Sequence, residues 1–341
     1  MAGISRNHWP TSAEYAFPPY TGFLHALLPL LFFVSGVVSY GSYSRSTGAG
    51  DFLPRRLISL LAPYYLLTLL IFCSSAFGVA TQPTWDATTI VDWLLLNPSN
   101  ETMPFPLGQV WFLHAITLIT LVSPLVYARM QKHPHFALLP IAVAVAMSVW
   151  VLFVRIDRSI VVFGHNTFQA IANSGFYFLG AYVVATPSLW TRTRLLALIV
   201  GAITVAAALP PLLNLPVDYR HHSYAPDLYY LSGSFAVIFA ALALKHPFRW
   251  LCIQVRPLGW MLEFVSRHSY PIFLLHSFFI FATERWLGLV QVSNDPVRAL
   301  AKVLLVVTLT FMAAIPFSAA SKRLAQVLRN LLKRPAAAQV A

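Results

Sequence analysis

Nine long apolar segments run through this chain, at about 21–43, 57–79, 108–128, 136–155, 167–186, 195–214, 226–245, 269–287 and 299–320. Each reaches or approaches the ~20 residues that a helix needs to cross a hydrocarbon core of ~30 Å. Backbone amides find no water partners in lipid, so segments of this length predict helices. The pattern predicts an all-α, polytopic transmembrane helix bundle.

Charge then orients the bundle. With the C-terminus placed in the cytoplasm, sixteen of the 23 Lys and Arg residues fall in cytoplasmic loops or the C-terminal tail, and seven on the other side. Asp51 and Glu263 alone among the eleven acidic residues fall inside. This excess of cytoplasmic basic residues is the positive-inside bias. It leaves residues 1–20 outside, with no basic start and apolar core of a signal peptide. An external start ahead of nine helices predicts one further helix before Met1, so ten in the natural protein.

Composition agrees with a membrane-embedded chain. Of 341 residues, 58% are hydrophobic and 10% charged. No loop is long enough for a second soluble domain, which predicts one domain over 1–341. The net charge of +12 is dispersed over loop ends, so topology and anionic lipid account for it better than nucleic acid does. Cys73 and Cys252 fall on opposite sides, which argues against a disulfide. Segment 80–107, with Trp85, Trp93, Pro98, Pro104 and Pro106, predicts an external lid-like loop. Segment 246–268 is semi-apolar and basic; it predicts a cytoplasmic interfacial helix broken at Pro257.

Polar and ionisable residues within a membrane are costly, so each needs a reason. The external half is rich in histidine: His8, His25, His114, His165, the pair His221-His222, and mid-span His276. Histidine is the natural general base near neutral pH, although interfacial histidines also serve as plain hydrogen-bonding groups. No spacing supports a metal site. Phe32-Phe33-Val34-Ser35-Gly36 permits either close helix approach or a polar cavity wall. Arg55-Arg56 opens a span, as a phosphate-binding fork or as positive-inside anchoring. Val110-Trp111-Phe112-Leu113 alone is an ordinary aromatic belt. In Ser269-Tyr270-Pro271-Ile272-Phe273-Leu274-Leu275-His276, a histidine at mid-span is hard to explain as decoration.

In this order, FFVSG, RRLISLLAPYY, VWFL and SYPIFLLH resemble the membrane acyltransferase-3 family over essentially the whole chain. The resemblance implies ten core helices with both termini cytoplasmic, in the bacterial inner membrane. It implies transfer of an acyl group, commonly acetyl, from acyl-CoA to a hydroxyl of an envelope or exported carbohydrate or glycolipid. Acyl-CoA is then a co-substrate, and no cofactor is permanently bound. The family hallmark, a basic residue and a histidine separated by ten residues, implies His8 as the catalytic base, with its partner before Met1. Arg55 and Arg56 take the role of acyl-CoA binding, with Arg249 and Arg256 as weaker candidates. Ser35, Trp111, Tyr270 and His276 line the path between the two sides. Family members often carry two arginines three apart, whereas here Arg56 is followed by Ser59. A secondary transporter or a non-catalytic membrane protein of this architecture is the competing reading. Against a transporter stand the lack of repeated halves and of intramembrane carboxylates.

Overall fold

A computed structural model describes residues 27–75, 91, 94–96, 110–153, 161–162, 165–219, 222, 226–287 and 296–333, with backbone alone at a few helix and strand ends. The elements are α1 (Leu28–Tyr43), α2 (Ala49–Ser75), α3 (Val110–Met130), α4 (Leu138–Phe153), α5 (Thr167–Ala185), α6 (Arg192–Leu213), α7 (Leu228–Ala243), α8 (Lys245–Gln254), α9 (Arg256–Leu287) and α10 (Pro296–Lys333). Single 3₁₀ turns precede α4 and α6. A two-residue antiparallel ladder pairs Val161 with Asn166 and Val162 with His165. The fold is otherwise helical, as the apolar pattern predicts.

Five helical stretches among the described residues are long and apolar enough to cross a membrane: Ala49–Ser74, Phe112–Met130, Pro134–Phe153, Arg192–Leu213 and Leu300–Leu331. α7 and α8 pass together, bent by 53° where they meet, and α1 is a shorter apolar helix. Several boundaries move relative to the apolar segments. α9 starts thirteen residues before 269 and runs unbroken for 32 residues, while α10 runs for 38. At a rise of ~1.5 Å per residue these are roughly 48 and 57 Å long, more than the ~30 Å hydrocarbon core. The break in 246–268 falls at Val255, and Pro257 sits in the first turn of α9, where its missing N–H is no loss.

Local sequence explains the ends and the tolerated prolines. Thr191 caps α6 through the Arg194 N–H, and Asn214 closes it in the left-handed region at φ 51°. Asp227 caps α7, accepting from the Tyr230 N–H at 3.0 Å. Inside α3, Pro124 cannot donate to the carbonyl of Thr120; the Ser123 hydroxyl donates to it instead, at 2.9 Å.

α5 is the centre of the bundle, packed by α1, α3 and α4. It carries Gln169 and Asn173, buried at 8% and 2% exposure. Solvent-type preference is inverted here: amide side chains lie at the centre and apolar ones face outward. Only 6% of the apolar stretch of α6 is buried against protein, with Leu196, Val200, Ile203 and Leu212 exposed. Such a face is stable only against an apolar solvent.

α1 and α5 meet backbone to backbone. A Cβ on Gly36 would lie 1.8 Å from the Tyr177 carbonyl oxygen, and one on Gly180 would lie 2.1 Å from that of Phe33. Either contact is impossible, so glycine is required on both sides of the crossing. Below it, the Tyr177 hydroxyl donates to Ser39 at 2.5 Å. Tyr40, Tyr43, Phe52 and Tyr127 stack edge-on or tilted around that bond, with ring centroids 5.2–6.1 Å apart.

Gly36→Ala is expected to destabilise the protein by about 1–3 kcal/mol, the usual range for overpacking. Gly41→Ala, whose added methyl meets nothing within 4 Å, is the matched control. Melting of the purified variants in detergent checks this, and equal midpoints would refute the glycine contact.

Candidate functional site

The four sequence motifs, spread over more than two hundred residues, come together in space. Phe32 of α1 packs on Phe112 of α3 at 4.6 Å between ring centroids, and Phe112 packs on Phe273 of α9 at 5.0 Å. The Tyr270 hydroxyl donates to the Leu60 carbonyl of α2 at 2.7 Å, which ties the arginine-bearing helix to α9. The aromatic positions therefore form a continuous wall that holds the polar residues of α2 and α9 in place.

Arg55 and Arg56 part company. Arg55 is bound locally: it forms an ion pair with Asp51 one turn earlier, and its Nε donates to the Asp51 carbonyl at 3.0 Å. About half of its side chain is exposed, so this pair is worth little to stability. Arg56 turns inward, half-buried, and lies within electrostatic reach of Tyr127 and Tyr270. Among the described residues no acceptor reaches its buried Nε. A buried guanidinium N–H without an acceptor is unfavourable unless an anion supplies one.

Beside Arg56, a cleft of about 420 Å³ opens between α2, α9 and α10. Ser59 and Tyr270 line it with Arg267, Lys322, Gln326 and Arg329. Ser59 links the two features, since its hydroxyl donates to the Arg56 carbonyl at 2.7 Å. Arg267 also pairs with Glu263 at the exposed edge. The Nε of Arg329 is buried, with no acceptor among the described residues. Sequence reasoning counted Arg267, Lys322 and Arg329 only as positive-inside anchors. A legible signal was there: Ser318, Lys322, Gln326 and Arg329 recur at helical spacing and share one face of α10.

The other expected residues stand apart from this cleft. Arg249 and Arg256 are exposed, on α8 and at the start of α9, and α8 packs on α7 and α9. Ser35 is half-buried on α1, one residue before the glycine of the crossing. Trp111 begins α3, but its side chain lies outside the described residues, and so does the whole of His8. His276 is half-buried six residues beyond Tyr270, about 120° around the helix and ~9 Å along it. Its Nδ1–H donates to the Phe273 carbonyl at 2.6 Å, leaving Nε2 to accept from the Ser277 hydroxyl at 3.3 Å. Among the described residues no group of three His, Cys, Asp or Glu side chains is placed to hold a metal. A further cavity, about 940 Å³ between α3, α4 and α5, is lined chiefly by apolar side chains, with Thr167, Ser174 and Arg129 as its polar ones.

A family model described as "Acyltransferase domain" matches residues 3–319. The chain belongs to the acyltransferase-3 family. It is therefore a membrane acyltransferase, and the motif residues that converge around Arg56 and Tyr270 belong to an acyltransferase-3 domain. The match ends inside α10, before Lys322 and Arg329. No curated protein and no solved structure matches the chain.

On the opposite end of this acyltransferase-3 bundle, His222 forms a second buried polar site at 5% exposure. Its Nδ1 lies 2.5 Å from an Asp227 carboxylate oxygen and its Nε2 lies 2.7 Å from the Pro216 carbonyl. Both partners accept only, so both ring nitrogens must carry protons: the imidazolium fits this site, and the neutral ring does not. Burial works against the charge, but Asp227, the Pro216 carbonyl and Asp218 outweigh it and raise the pKa above its ordinary 6.5. A group with a raised folded pKa contributes stability that is complete below its unfolded value and is lost as pH rises through the folded value. The melting temperature is therefore expected to fall by a few degrees as pH rises above the ordinary histidine range. Asp227→Asn should flatten that dependence, and an unchanged pH profile in this variant would exclude the pair as its origin.

Proposed function

We propose that the protein transfers an acyl group, foremost acetyl, from cytoplasmic acyl-CoA to a hydroxyl of an envelope or exported carbohydrate or glycolipid. The family match over residues 3–319 carries this reading. The inward-facing Arg56, with a buried nitrogen awaiting an acceptor, supports an anionic donor at that end. The bundle is read as nine spans in this chain, with the C-terminus cytoplasmic, in a bacterial inner membrane. The positive-inside charge distribution supports that orientation.

In the reaction, the acceptor hydroxyl attacks the thioester carbonyl, a base removes its proton, and the C–S bond breaks to release CoA. His8 is the base, at the external face where the acceptor arrives. Arg56 holds donor phosphate from the cytoplasmic side, with Arg55, Arg249 and Arg256 adding positive field at the entrance. Ser35, Trp111, Tyr270 and His276 line the route of the acyl group between the two faces. Developing negative charge on the thioester oxygen is best met by donors fixed in advance.

Transfer of labelled acetyl from acetyl-CoA, followed in membranes containing the protein, tests this function. His8→Ala should lower the rate by about 10²–10⁴, the usual contribution of a general base. Arg56→Gln should raise KM for the donor about tenfold, as expected for loss of a charge-assisted contact. Unimpaired transfer by His8→Ala would remove the base assignment.

A further inference from the structure

The cleft between α2, α9 and α10 is lined by three cations, and among the described residues Arg267 alone of them has a counter-ion, Glu263 at the exposed edge. Arg267, Lys322 and Arg329 line it, and no carboxylate does among the described residues. Lys322 and Arg329, on the same face of α10, repel one another, and more strongly where protein and lipid exclude water. Positive-inside anchoring alone predicts long side chains that reach into water. Arg323 behaves so, exposed on α10. Arg329 does not: its Nε is buried beside the cavity with no acceptor.

Shape and position narrow the ligand. The volume, about 420 Å³, lies within the ~300–1,000 Å³ of small-molecule sites. Lys322 and Arg329 stand seven residues apart, two turns along one face, so their charges are spread over roughly 10 Å. Two or more phosphates fit that spread better than a single phosphodiester does. Pro63, Pro271 and Ala325 supply an apolar wall against which a ring can lie. Arg56 stands next to the same cleft through Ser59, one turn nearer the start of α2, and within electrostatic reach of Tyr270.

We infer that this cleft binds the phosphorylated nucleotide end of the acyl donor, with Arg267, Lys322 and Arg329 as phosphate-binding residues. The inference rests on acyl-CoA being the donor. It extends that reading to residues beyond the matched acyltransferase domain, since Lys322 and Arg329 follow residue 319. Phosphate chemistry is shared with anionic phospholipid headgroups, so the test must tell nucleotide from lipid. The adenine ring rests on the proline-lined wall, and the pantetheine arm leaves past Arg56 into the bundle.

Adenosine 3′,5′-bisphosphate is the probe, titrated against the full chain in bilayers of zwitterionic lipid alone. Binding is expected, weakened about tenfold by Lys322→Gln and again by Arg329→Gln, with Arg329→Lys regaining part of it. In turnover the same variants should raise KM for acetyl-CoA about tenfold with kcat within twofold. They should leave rates with acetyl-pantetheine, which has no phosphate, unchanged. Lys322 is exposed, so its substitution tests the cleft without endangering the fold. Equal affinity of the native protein and the Lys322→Gln/Arg329→Gln double variant would overturn the inference. An effect of the substitutions seen only when anionic phospholipid is added would also overturn it and assign the cleft to a headgroup. If the unaltered protein transfers acetyl from acetyl-CoA and the variants keep their KM, only the cleft assignment fails. If the unaltered protein transfers none, the donor reading itself fails.

Discussion

Everything in this bundle hangs on how closely α1 and α5 can approach. In lipid the hydrophobic effect gives helices little reason to associate, so van der Waals contact between well-fitted surfaces must do it. Gly36 and Gly180 lack the Cβ atoms that would keep the two backbones apart. With α5 drawn in, its buried Tyr177 reaches Ser39, the tyrosine cluster closes around that bond, and α3 is gripped through Tyr127. α3 in turn positions Phe112 between Phe32 and Phe273, and so fixes α9. The polar groups of the site are held by this chain of contacts together with the bonds from Ser59 to Arg56 and from Tyr270 to Leu60.

The membrane also explains why the polar residues concentrate where they do. α5 can carry Gln169 and Asn173 because protein, not lipid, surrounds them. The same logic keeps Arg56 tolerable: it lies near tyrosine hydroxyls at the end of a helix, not at the bilayer centre. Within α3, the hydroxyl of Ser123 covers the carbonyl that Pro124 strands, which is the sort of internal repair lipid demands. Water would have satisfied that carbonyl at no structural cost.

Helices were legible from apolar length alone, because only a helix satisfies every backbone group of a single segment in lipid. Family membership was legible from four short motifs in order, and the structure explains their linkage: they are the parts that touch. The role of Phe32-Phe33-Val34-Ser35-Gly36 was not legible, since close packing and a cavity wall leave the same letters. Its Gly36 is a packing residue. Arg55 and Arg56 looked equivalent in sequence, and only the turn of α2 separates the one held by Asp51 from the one facing inward. Arg267, Lys322 and Arg329 were hidden by their own abundance, because positive-inside bias predicts basic residues at these ends for reasons unrelated to a site. Helix ends were misjudged at α9 and α10, whose polar extensions beyond the apolar stretch keep hydrogen-bonding internally where hydropathy no longer marks them.

α9 carries Arg267 at the cleft, Tyr270 at the bond to Leu60, Phe273 in the aromatic wall and His276 deeper in the bundle, all within three turns of one continuous helix. One added or deleted residue inside this stretch would rotate everything beyond it by ~100° and shift it by ~1.5 Å. The stretch is thus a fixed-length spacer. Change in chain length is affordable before Arg256 or after Leu287, while between Arg267 and His276 substitution is the only variation the architecture can absorb.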